Sequence, residues 1–151
     1  MVTPRRKLIL DDYITALSGI TIANGYKTTV VTVERVIKSW EGSKPGEKPS
    51  IGILPQREDI THEPSQQMRV DMTVVLVCHV IGTSAADRYT KLNDLLDDVI
   101  VALNFDTSRN GQAVSTTIVS VETDEGDDDA LGDGTMVVHT RCVFYRTTAA
   151  S

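Results

Sequence analysis

Cysteine is scarce in this chain: there are two, Cys78 and Cys142, each inside an apolar run. In such surroundings a thiol behaves as a small hydrophobe, and two isolated cysteines make neither a disulfide framework nor a cysteine-based zinc site. Two buried, reduced thiols are expected, which suits an intracellular protein. Long apolar runs are also missing. No segment approaches the roughly 20 residues of a membrane span, and Arg5, Arg6 and Lys7 are not followed by the uninterrupted apolar stretch of a secretory leader. A soluble, non-secreted chain is expected. Base is in deficit, with a net charge of −6, which excludes a general nucleic-acid binder dependent on clustered Lys and Arg to displace counterions.

The deficit is local. Seven acids and no base lie between Glu122 and Asp133, and without them 15 basic residues face 14 acidic ones. The 151 residues suit one domain spanning 1–151, and a chain of this length buries about two thirds of its unfolded surface.

The most informative stretch runs from Thr83 to Asn104. Leu92, Leu95, Leu96, Val99, Ile100 and Leu103 are spaced by alternating steps of three and one, the stripe of a helix with about 3.6 residues per turn. Lys91, Asp94, Asp97 and Asp98 occupy the opposite face, predicting water on one side and a sheet on the other. Ser84 with Asp87 resembles a capping box in which Asp replaces the usual Glu.

Taken in order, residues Thr3 to Ile22 predict a helix with Leu10, Tyr13, Ile14 and Leu17 on one face, stopped by Asn24 and Gly25. Thr28 to Lys38 is rich in β-branched residues and predicts a strand. Trp40 to Ser50, with Gly42, Pro45, Gly46 and Pro49, predicts an exposed connection. Ile51 to Leu54 predicts a short edge strand ended by Pro55, and Gln56 to Ser65 a polar loop. Gln66 to Ile81 is the clearest strand: Val70, Met72, Val74, Leu76, Cys78 and Val80 form one apolar face, and the alternate face turns apolar only from Val75.

Phe105 to Gly111 predicts a turn built on Asn110 and Gly111. Ala113 to Thr123 then sets Val114, Ile118 and Ser120 against Val119 and Val121, and Thr135 to Thr147 alternates more cleanly. The two form a hairpin around the acidic, Gly-rich segment. The expected fold is α+β, in the order α-β-β-β-α-β-β, with a mostly antiparallel sheet of about four to five strands and two helices packed on one face.

Catalytic patterns are wanting. His62, His79 and His139 match no helical pair or zinc spacing, although His79 and His139 sit in strands and could meet across them. There is no Gly-x-Ser-x-Gly elbow or phosphate-binding glycine loop. An EF-hand read from Asp127 places Leu131 and Val138 at ligand positions and fails. The acidic segment is thus read as a solvated hairpin tip, an irregular cation site, or a negative surface that repels a like charge or docks a basic partner. No enzyme, metal site or cofactor is expected. Arg35, Lys44, Lys48 and Arg57 on the basic side, with Glu125, Asp127, Asp128, Asp129 and Asp133 on the acidic side, are the candidate interaction residues. Charges of opposite sign on different parts of one surface suit head-to-tail contacts between copies.

The layout resembles the tail terminator, or tail completion, proteins of long-tailed bacteriophages, the lambda-like minor tail protein family. The resemblance lies in the first helix, Val30 to Val36 with Arg35, Pro49 to Pro55 leading into Arg69 to Val80, the helix Tyr89 to Asn104, Asp106 to Gly111, and a closing hairpin. It covers nearly the whole chain and is one of layout and hydrophobic pattern. It implies a small α+β virion subunit forming a ring, commonly a hexamer, on the head-proximal end of the tail tube. That ring ends tube polymerisation, joins the tail to a head-neck or connector protein, and lets DNA pass without specific binding. Assembly in the host cytoplasm, no enzymatic activity and no membrane are implied. The loops at Glu41 to Pro49, Gln56 to Ser65 and Glu122 to Gly134 are then the natural contacts, although the long acidic segment is not a recognised family feature. The alternatives are another neck, head-closure or connector protein, a tail tube protein, or a small ligand-binding α+β domain.

Overall fold

The computed structural model describes residues 4–35, 49–124 and 133–147. Its elements are α1 (Arg5–Ser18), a 3-10 turn (Ile22–Asn24), β1 (Thr32–Glu34), β2 (Ser50–His62), β3 (Gln67–Ile81), α2 (Ala85–Phe105), β4 (Ser115–Asp124) and β5 (Asp133–Thr147). The expected α-β-β-β-α-β-β order holds. The five strands form one sheet in the order β1-β2-β3-β5-β4, antiparallel throughout except for the parallel β1–β2 pair.

The centre of the sheet follows from the apolar face of β3. Val70, Met72, Val74, Leu76, Cys78 and Val80 are buried with Met136, Val138, Cys142 and Phe144 of β5, beneath Ile9, Leu10, Tyr13 and Leu17 of α1 and Leu92, Leu95, Val99 and Leu103 of α2. Both helices therefore lie on one face. Burying each such aliphatic side chain contributes about 1.5–3 kcal/mol. A polar thread crosses this core: the Tyr13 hydroxyl lies 2.8 Å from Thr140 Oγ1, which itself donates to the Val74 carbonyl at 2.8 Å.

α2 begins as predicted. Ser84 Oγ accepts from the Asp87 amide at 3.1 Å, while the Asp87 carboxylate reaches one residue further back, to the Thr83 amide at 3.0 Å. Close packing also shapes its junctions with the sheet. A Cβ on Gly134 would lie 3.1 Å from Leu92 Cδ1 and 3.2 Å from Val80 Cγ2, so β5 starts hard against the helix.

Several expectations are corrected. α1 ends at Ser18 rather than Ile22, and Asn24–Gly25 instead closes the separate 3-10 turn, with Gly25 at φ 92°. Of the predicted Thr28–Lys38 strand, only Thr32–Glu34 pairs among the described residues, with 36–38 outside them. The preceding backbone is satisfied elsewhere: Val30 N–H goes to the Ile20 carbonyl and Val31 N–H to the Pro49 carbonyl. The predicted connection Trp40–Ser50 lies largely outside the described residues, although Ser50 opens β2.

The largest correction is β2. It runs to His62 through Pro55 and through the predicted polar loop Gln56–Ser65, pairing with β3 from Ser50↔His79 to His62↔Met68. Pro55 is tolerated because the register shifts between Pro55 and Arg57 and because, among the described residues, β1 pairs with β2 only as far as Gly52. Similarly, a register shift between Ile118 and Ser120 changes the parity of β4, so Ile118 and Val121 both pack toward the core while Ser120 faces away.

Candidate interaction surface

Two of the buried charged side chains, Asp98 and Arg109, fix the loops around α2. Asp98, predicted on the solvent face, accepts from the Lys27 and Thr28 amides at 3.0 and 2.8 Å, tying the chain after the 3-10 turn to the helix. Arg109 is 0% exposed. Its Nη2 donates to the carbonyls of Leu103 and Asp106 at the C-terminal end of α2, its Nη1 stands 3.3 Å from Asp12, and its guanidinium lies 5.4 Å from the Tyr13 ring centroid. A cation placed there complements the negative end of the helix dipole. Burial raises the Asp12 pKa, against the opposing pull of Arg109. The turn is left-handed over three successive residues, Arg109, Asn110 and Gly111, one more than the predicted Asn-Gly pair.

These buried groups are architectural. Among the described residues, no three His, Cys, Asp or Glu side chains come together in a way that would hold a metal ion. The two strand histidines do not meet: His79 lies opposite Thr135 and His139 opposite Val75, a separation of about 13 Å along the ladder.

Among the described residues, the sheet edges and a groove are open to a partner. β4 is the last strand of the sheet, and no described strand pairs along its outer edge. From Thr116 to Val121 it contains no charge and no proline, so it lacks two of the common protections of an edge. On the opposite side, β1 pairs with β2 as far as Gly52, and among the described residues no strand pairs along the outer edge of β2 from Ile53 to His62. Val119 on β4 and Ile60 on β2 expose 54% and 51% of their surface. The groove, about 510 Å³ in volume, lies between the 3-10 turn and the end of α2. Tyr26, Ile100, Val101 and Phe105 line it, with Lys27 and Asp97 also lining it as a 2.8 Å ion pair. Phe105 is 90% exposed.

Of the candidate interaction residues, Arg35 is exposed directly after β1, its Nη1 3.9 Å from Asp11, and Arg57 is exposed on β2, paired with Asp59 at 3.0 Å. Asp133 opens β5, its backbone opposite Ile81. Lys44, Lys48, Glu125, Asp127, Asp128 and Asp129 lie outside the described residues. Glu58 and Glu122 fall within the expected contact segments Gln56 to Ser65 and Glu122 to Gly134 but were not singled out as candidate residues. Glu58 binds Arg6 of α1 from the helix-bearing face of β2, and Glu122 stands opposite Val137 on the other face of the sheet. Only the β2 register, hidden behind the proline, could have revealed the first.

No helix among the described residues is long and apolar enough to cross a membrane. No protein-family model matches this chain, and no curated protein is significantly similar to it.

Proposed function

We propose that this chain is a structural subunit of a bacteriophage virion. It forms a ring, hexameric in keeping with the resemblance, that caps the head-proximal end of the tail tube, ends tube polymerisation and offers the surface to which the head-neck or connector protein joins. The observation that carries the reading is the arrangement of elements: α-β-β-β-α-β-β, both helices on one face, and an open sheet with, among the described residues, an unpaired edge on either side. A closed ring needs two different complementary surfaces on each subunit, and two such edges provide them. The acidity of Glu122, Asp124 and the segment that follows suits a passage for DNA, because like charge keeps a sliding polyanion from being held. The site of action is then the neck of the particle, after assembly in the host cytoplasm.

A second reading, a tail tube subunit, shares the same edges, since a head-to-tail contact whose rotation does not close produces an open polymer. Native mass spectrometry with light scattering separates the two. A discrete closed species of about six subunits supports the cap; tubes of unlimited length support the second reading.

A further inference from the structure

Running through β2, β3, β5 and β4, every pairing is antiparallel, so β4 points opposite to β2. A second copy placed beside the first without inversion therefore brings its β2 antiparallel to β4, the polarity a continued ladder requires. We infer that the outer edge of β4 pairs with the outer edge of β2 in a second copy of this chain, with Glu122 opposite Arg57.

That register is set by three features. Among the described residues β1 occupies β2 as far as Gly52 and no strand pairs along that edge beyond it, so the pairing with an incoming strand runs from Ile53 onward, staggered as in a sheared, closing sheet. Facing side chains must share a face: Glu122 lies opposite Val137 and Arg57 opposite Thr73, both on the side of the sheet away from the helices. Counting three residues along from the Glu122–Arg57 rung sets Val119, the extra residue at the β4 register shift, beside Ile60, two apolar residues 54% and 51% exposed. Arg57 then stands between Asp59 of its own strand and Glu122 of the neighbour. The contact is head-to-tail, specifies how copies of the proposed ring join, and rests on that reading.

The test is the concentration dependence of association of the full chain, followed by sedimentation, for wild type, Arg57→Glu, Glu122→Arg and the double variant. Each residue is exposed, and matching thermal unfolding confirms that the variants fold. Each single reversal sets like charges face to face and is expected to weaken association by about tenfold or more, and the double variant to restore most of it. Val119→Lys, a charge in mid-edge, is expected to weaken association as well. A wild type that stays monomeric into the millimolar range overturns the pairing, as does a double variant no better than the singles. Closed rings indifferent to all three substitutions overturn the pairing and leave the ring. Charge-swap rescue in an assembly that grows without limit upholds the pairing and removes the cap.

Discussion

At the scale of single residues, the fold depends on polar groups that look like surface residues until their partners are known. Arg109 is the strongest case, since one guanidinium serves two helix-end carbonyls and Asp12 while resting on Tyr13. Arg109→Ala leaves buried acceptors unmet, and we expect denaturant titration to show a loss of about 3 kcal/mol. Arg109→Lys should recover less than half of it, because an ammonium cannot span the same acceptors. Asp106 accepts from the Ser108 hydroxyl and from the amides of Ser108 and Asn110, bonds that hold its pKa below the usual 3.8. A lowered folded-state pKa means that this stabilisation is complete above pH 3.8 and lost as pH falls through the folded value. Asp106→Asn should therefore lower the thermal midpoint at neutral pH, and the gap to wild type should close on acidification below that range. Burial pushes the thiols of Cys78 and Cys142 up to about 12 and about 11. Neither should react with a disulfide reagent at pH 8 until the protein is unfolded; prompt labelling of native protein would contradict their burial.

At the scale of elements, legibility in the sequence tracked how much of each element is buried on one side. α2 and β3 were readable because Leu92, Leu95, Val99 and Leu103, and the even-numbered residues Val70 to Val80, carry a single unbroken period. β2 was not, since its second half is exposed and so carries no pattern, and Pro55 resembles a stop; only its pairing with β3 reveals it. The register shift in β4 was equally hidden, because one extra residue moves Val121 to the core side and leaves the local composition unchanged. Asp98 and Arg109 were invisible as buried groups because their partners are distant in sequence or are backbone carbonyls. The candidate site was partly legible: Arg57 was singled out from its charge, whereas the strand that carries it and the edge it lies on were not. Energetics should follow the same division. Leu95→Ala is expected to cost about 3 kcal/mol on denaturant unfolding, whereas Tyr89→Ala, on the exposed side of the same helix, should change stability by no more than about 0.5 kcal/mol.

At the scale of the whole molecule, a sheet with helices on one face and, among the described residues, an unpaired edge on either side is a unit suited to repetition, and seven of its acids are gathered in sequence between Glu122 and Asp133. The proposed cap follows from that shape together with the resemblance in layout. The most direct measurement is tail length by electron microscopy in particles assembled without this chain. The cap predicts a broad distribution of overlong tails that returns to one length when the chain is supplied in trans. Tails of a single normal length in its absence would contradict it.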